Sequence, residues 1–272
     1  MNRRSFLQTA GVASAQLIQR RARLKQGVTR GCFGRGHTME EMAREAARLG
    51  LKGFDLVGPA DWPVLKKYGL LPTMVPGGGG LGDNMNSRVN HARLEPQYRD
   101  MIEQAAAAGA PNVIALSGNR RGIPDEEGLE NCVTFLSKLK PLAEDKGVTI
   151  CLELLNSKVN HKDYQCDRTW WGVEVCKRVN SPRVKLLYDI YHMQIMEGDI
   201  IRTIRNNIQY IGHFHTAGNP GRHELDASQE LNYRPIAQAI VDAGFTGYFS
   251  HEYSPLRDPL QSLNEAITLC DV

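Results

Sequence analysis

Short apolar runs alternate with longer amphipathic stretches along the chain from Leu24 onward. A run of four to seven apolar or β-branched residues, bounded by glycine and polar residues, reads as a buried strand. A stretch with apolar residues every three or four positions reads as a helix packed on one face. The first strand is expected at Lys25–Val28. Thr38, followed three residues later by Glu41, is a capping box that opens a helix, and Gly50 stops it after Leu49. Further strands are expected at 53–57 (GFDLV), 71–75 (LPTMV), 112–116 (NVIAL), 149–155 (TICLELL), 184–190 (VKLLYDI), 210–216 (YIGHFHT) and 248–253 (YFSHEY). Helices are expected at 62–68, 94–108, 125–146 with a kink at Pro141, from Thr169, at 195–206, at 233–243 and from Pro259.

Each strand is thus followed by a helix, with no linker or break in composition between the units. Strands alternating with helices imply a parallel sheet. Eight such units in one chain of this length imply an α/β fold, the (β/α)8 TIM barrel, over residues 23–272. An open, doubly wound sheet is the alternative.

Active sites of such barrels lie at the C-terminal ends of the strands. There the first four strands end quietly and the last four do not. Glu153, Asp189, His215 and Glu252 each follow an apolar run near the top of strands five to eight. Strand side chains alternate between faces. The inward companions would then be Cys151, Leu187, His213 and Ser250, which suit a barrel interior. Three carboxylates and an imidazole buried together repel one another and lose hydration, and a divalent cation removes most of that cost. Three oxygens and one nitrogen favour Mn²⁺ or Mg²⁺, with Co²⁺ and Zn²⁺ also accommodated. His213 lies one row deeper and reads as a supporting or core histidine.

Composition changes this picture little. The 272 residues are 42% hydrophobic and 23% charged, with a net charge of +3. That excess is too slight and too dispersed for a nucleic-acid partner. The six cysteines are scattered, without a CxxC pair, and read as idle buried thiols. The Gly77–Gly80 run lacks the GK[ST] of a phosphate-binding loop and reads as a mobile lid. Trp170 and Trp171 read either as a sugar-stacking platform or as core. The start of the chain differs. MNRRSFLQTAGVASA carries Arg3-Arg4, then a short apolar stretch, and has the pattern of a Tat export signal, so a periplasmic location is expected. The alternative for residues 1–22 is a disordered basic tail on a cytoplasmic protein. No segment is apolar enough for a membrane span.

The segments ELLN (153–156), YDIYHMQ (188–194), HFHTAGNPGRHE (213–224) and HEY (251–253) resemble the xylose isomerase-like TIM barrels, and within them hydroxypyruvate isomerase and the ketose 3-epimerases. The resemblance runs from Leu24 to the end and is strongest from Thr149 to Tyr253. It implies one Mn²⁺ or Mg²⁺ held by Glu153, Asp189, His215 and Glu252. It implies substrate contacts from His192 and Arg222, and Glu153 and Glu252 as acid and base. The implied activity is isomerisation or 3-epimerisation of a small sugar or hydroxy-carbonyl compound through a metal-bound enediolate. A lyase cleaving 3-keto-glycosides by enolisation and elimination is the alternative. An endonuclease of the endonuclease IV type and a non-catalytic binding protein are remoter ones. Dimers or tetramers are common in the family, so a homo-oligomer is implied, although nothing marks an interface. The loop SKVNHKDYQCDRTWW after strand five follows neither subgroup.

Overall fold

A computed structural model describes residues 21–272. The twin-arginine segment lies outside the described residues. Eight strands appear where the apolar runs stand: β1 (Lys25–Val28), β2 (Gly53–Asp55), β3 (Leu71–Met74), β4 (Asn112–Ala115), β5 (Thr149–Glu153), β6 (Val184–Asp189), β7 (Ile211–Thr216) and β8 (Tyr248–His251). The helices are α1 (Met39–Arg48), α2 (Trp62–Lys67), α3 (His91–Ala108), α4 (Asp125–Lys146), α5 (Thr169–Val179), α6 (Ile190–Met196), α7 (Ile200–Asn207), α8 (Tyr233–Asp242) and α9 (Pro259–Leu269). The Thr38–Glu41 capping box closes in both directions at the start of α1. Pro141 sits inside α4, which continues through it.

All neighbouring strands are parallel, in the order β3-β2-β1-β8-β7-β6-β5-β4. Pairing of β1 with β8, from Lys25 opposite Tyr248 to Val28 opposite His251, excludes the open doubly wound sheet. The remaining gap closes just past β3, where the Val75 N–H donates to the Asn112 carbonyl and the Val75 carbonyl accepts from Ile114 N–H, both at 2.9 Å. The result is a closed eight-stranded barrel.

Alternation sorts each strand. On β5, Ile150 and Leu152 face the helices, while Cys151 and Glu153 face the axis. Apolar residues between strands and helices form one continuous core. A smaller cluster of Met74, Ile114, Cys151 and Leu187 plugs the interior on the β3–β6 side. The six cysteines are free thiols and all buried.

The one helix expected at 195–206 is instead two. Gly198 (φ 67°) and Asp199 (φ 44°) both take left-handed backbone between α6 and α7, which no continuous helix allows. Helix α6 also starts earlier than expected, because Asp189 ends β6 and caps the next turn by accepting a bond from the His192 N–H. That cap turns His192 back towards the strand ends.

Candidate metal centre and active site

Glu153 and Asp189 are the last residues of their strands, His215 is the next-to-last of β7, and Glu252 follows β8 directly. The Glu252 N–H donates to the Thr216 carbonyl, which holds the chain in strand direction for one more residue. The four do not share one hydrogen-bonded row. Glu153 pairs with Leu187, two residues short of Asp189, and His215 pairs with Ser250, two short of Glu252. Only Asp189 and His215 stand opposite each other. Strands tilt in a closed barrel, so this climb brings the four to one height along its axis.

One donor atom from each of Glu153, Asp189, His215 and Glu252 can be chosen so that all lie within 4.8 Å of one another. Atoms sharing one ion at about 2.1 Å lie roughly 3 to 4.2 Å apart, so little contraction is needed. His215 Nδ1 is 2.8 Å from Glu252 Oε2 and 3.7 Å from Glu153 Oε1. Yet His215 Nδ1, Asp189 Oδ2 and Glu252 Oε2 are buried with no geometrically sound hydrogen bond. Buried polar atoms are nearly always satisfied. Polar atoms converging on one point in this way fit a divalent cation held among them.

The ionisation of the cluster points the same way. Burial pushes the Asp189 carboxyl up to about 7, against the pull of Arg222. Burial also raises Glu153, with Glu252 adding repulsion. Burial alone would raise Glu252, but the His215 and Arg222 charges hold it down to about 2. Burial opposes a charged His215, and the Glu252 carboxylate holds its imidazole well above the usual range all the same. Protons thus gather where a divalent cation would neutralise the same carboxylates. The donor set fits Mn²⁺ or Mg²⁺, and Co²⁺ or Zn²⁺ as well.

Arg222 reaches the cluster from the loop after β7, on a left-handed backbone (φ 60°). Its Nη2 lies 2.9 Å from Glu252 Oε2 and 3.9 Å from Asp189 Oδ2, and its guanidinium covers the Tyr191 ring. It belongs to the site rather than to a surface ion pair. His192 is fully buried. Its Nδ1 accepts from Asn156 Nδ2 at 2.6 Å, so the proton is on Nε2, 3.7 Å from Asp189 Oδ2 and without a partner. Burial and Arg222 keep this ring neutral.

The residues matching a family model for the xylose isomerase-like TIM barrel are 43–269. The chain belongs to that family. It is 32% identical over 158 residues to a 2-oxo-tetronate isomerase of Cupriavidus necator, covering 57% of this chain and 59% of the relative. It is 29% identical over 177 residues to a putative hydroxypyruvate isomerase of Homo sapiens, covering 61% and 64%. These matches span about three fifths of each relative. The crystal structure of an AP endonuclease, family 2, from Brucella melitensis superposes with a TM-score of 0.79 at 25% identity, over 88% of this chain and 96% of that one.

In this member of the xylose isomerase-like family, a cavity of about 320 Å³ opens beside the donors. Glu153, Glu252, Arg222 and His161 line it together with the apolar side chains of Leu56, Ile114, Leu116 and Leu155. His161 comes from the loop after β5 that follows neither subgroup. Its Nε2 is buried without a partner, and its ring lies 5.1 Å from that of His192. No pattern in that loop singled His161 out beforehand. The glycine run is a wall of the cavity, not a free lid. Gly79 N–H donates to Gln97 Oε1, and Asn84 Nδ2 donates to the Gly78 and Gly80 carbonyls. A Cβ on Gly77 would stand 2.1 Å from the Ile114 carbonyl oxygen, so only glycine lets the backbone lie this close. Of the two tryptophans, Trp171 is core, with Nε1 donating to the Asp125 carbonyl, and Trp170 is exposed away from the cavity.

The early strands are not silent either. Asp55, at the end of β2, is fully buried inside the barrel. Its Oδ2 lies 2.7 Å from His213 Nε2 and 3.2 Å from His215 Nε2. Asp55, His213 and His215 form a second cluster directly below the first. Here the polar atoms satisfy one another. Thr73 Oγ1 donates to Asp55 Oδ1, and Asn112 Nδ2 lies 3.4 Å from His213 Nδ1. His213 is therefore a core histidine under the site.

Proposed function

We propose that this chain is a divalent-metal-dependent isomerase or ketose 3-epimerase acting on a small sugar or hydroxy-carbonyl substrate. The observation that carries the proposal is the buried four-donor cluster, two of whose members, Glu153 and Glu252, line a cavity of sugar size. The names of the relatives, 2-oxo-tetronate isomerase and hydroxypyruvate isomerase, support the reaction class.

The reaction requires loss of a proton next to a carbonyl. A cation held by Glu153, Asp189, His215 and Glu252 would polarise that carbonyl and offset the charge developing on its oxygen. Glu153 and Glu252 come from the ends of different strands and both line the cavity, so each can present an oxygen to the substrate carbon. Transfer by both yields epimerisation. Return by one glutamate to the adjacent carbon yields isomerisation. His192 Nε2–H donates to a substrate oxygen, its ring kept in that tautomer by Asn156. Arg222 neutralises a substrate carboxylate or oxyanion.

The apolar wall of Leu56, Ile114, Leu116 and Leu155 favours one second reading. A substrate carrying an apolar aglycone would fill it, and elimination from a 3-keto-glycoside uses the same proton removal. An abasic-site endonuclease reading has less support, because the only early-strand carboxylate in the interior among the described residues, Asp55, is already satisfied by its neighbours.

The test is proton NMR in D₂O with Mn²⁺- or Mg²⁺-loaded protein and chelator-treated protein as control. The substrates are ketoses, hydroxypyruvate, a 2-oxo-tetronate and a 3-keto-glucoside. Metal-dependent deuterium uptake beside the carbonyl is expected, and the product distinguishes isomerase, epimerase and lyase. No uptake with any of them sinks the proton-transfer reading. We further propose export through the twin-arginine segment, which cell fractionation of the full chain tests. Among the described residues no helix is long and apolar enough to cross a membrane.

A further inference from the structure

The two clusters share one residue. His215 turns Nδ1 towards the three upper carboxylates and Nε2 towards Asp55. A neutral imidazole carries its proton on one nitrogen only, and the bond made by the other nitrogen decides which. Asp55 Oδ2 is a carboxylate oxygen and can only accept. Where a cation takes the place of a proton at Nδ1, His215 therefore keeps its one proton on Nε2 and turns the Nδ1 lone pair upward.

We propose that Asp55 is a positioning residue for the metal centre, fixing the tautomer and ring orientation of His215 so that Nδ1 is a ready ligand. This rests on the metal reading above and adds a residue outside the four donors.

Three features of the fold serve this placement. The β2–β3 register slips between Phe54 and Asp55, and Leu56 takes a left-handed backbone (φ 59°) that a leucine rarely adopts. Such irregularities re-aim side chains beside functional sites. Thr73 then fixes the carboxylate from the neighbouring strand. Space for Thr73 exists only because position 53 is glycine: a Cβ there would stand 2.2 Å from Thr73 Oγ1. Finally, His213 donates to the same Asp55 oxygen from below, and the two rings meet edge to face at 5.2 Å. His215 is held from one side by Asp55 and braced by His213, with no freedom to turn over.

The experiment uses metal alone, without substrate. Full-chain protein and its D55N and D55A variants are titrated with Mn²⁺ by calorimetry. Loss of such a supporting carboxylate typically weakens metal binding about 10- to 100-fold, and that drop is expected for D55A, with a smaller one for D55N. Nitrogen-15 NMR of histidine-labelled, Zn²⁺-loaded unmodified protein provides the second readout and needs no variant to fold. His215 is expected to show a protonated Nε2 and a metal-shifted Nδ1. Zinc bound through Nε2, or a D55A affinity equal to that of the parent, overturns this inference and leaves the metal centre standing. Failure of the unmodified protein to bind Mn²⁺ or Zn²⁺ overturns both.

Discussion

Two buried clusters of the same residue types lie one above the other in this barrel, and they behave in opposite ways. The upper one sets Glu153, Asp189 and Glu252 around His215 Nδ1, with Arg222 at its edge, and leaves Asp189 Oδ2 without a hydrogen bond. The lower one sets Asp55 against His213 and His215 and is closed by Thr73 and Asn112. Carboxylates and imidazoles near one another do not by themselves make a metal site. The ratio of charges and the direction of lone pairs decide. One carboxylate shared by two rings satisfies itself. Three carboxylates on one ring do not.

The largest expected effect lies in the upper cluster and is chemical. Glu153→Gln removes a proton acceptor and should slow metal-dependent deuterium exchange about 10²- to 10⁴-fold, at little cost to folding. Exchange within tenfold of the parent rate would remove Glu153 from the acid–base role. In the lower cluster the large effect is on stability. Asp55→Ala strands two ring N–H groups and a threonine hydroxyl in the interior, and should cost about 3–5 kcal/mol in urea unfolding of the metal-free protein. A loss under 1 kcal/mol would mean that the lower cluster is not the self-satisfied unit described above.

Metal should distinguish the clusters next. Mn²⁺ at one hundred times its dissociation constant stabilises a site it binds by about 2.7 kcal/mol. The parent should show that rise in thermal unfolding, and Asp189→Asn should lose most of it. An equal rise in both would place the ion elsewhere. The smallest effect of the four has the opposite sign to that of Asp55→Ala. Without metal at pH 8, Asp189→Asn removes a carboxylate whose charge is disfavoured by burial, and should raise stability by roughly 1 kcal/mol. A clear destabilisation would show that the upper cluster is satisfied without an ion.

Much of this was legible beforehand. Most strands announced themselves by an apolar run because they are largely buried, although β1 (KQGV) shows little of one, and glycine punctuation marked helix ends at Gly50, Gly109 and Gly147. The four upper donors stood out because each closes such a run in the inward phase. Their stagger did not, since register depends on how the barrel tilts. Asp55 escaped notice for a physical reason. Strand β2 has three residues, so its alternation has no length over which to show phase, and its partners His213 and His215 are about 160 residues away in the chain. The HxH of β7 was the available clue: a deep buried histidine calls for a buried acceptor, and the short GFD strand could supply one. The break between α6 and α7 rests on Gly198 and Asp199, a pair that periodicity alone passes over.

The barrel is also not uniformly sewn. Between β3 and β4 its closure depends on the two backbone bonds of Val75 and the Asn112 side-chain bond to the Thr73 carbonyl, whereas β5 to β8 are joined by full ladders. The glycine wall of the cavity rises directly from that thin seam. The chemistry sits on the opposite arc. Amide exchange should therefore be fastest at Val75 and Ile114 among the strand residues. Parting of the seam would widen the chamber while leaving all four donors in register. Traffic through the chamber and the proposed proton transfer within it would then depend on different halves of one closed sheet, so evolution could alter what enters without disturbing what is done to it.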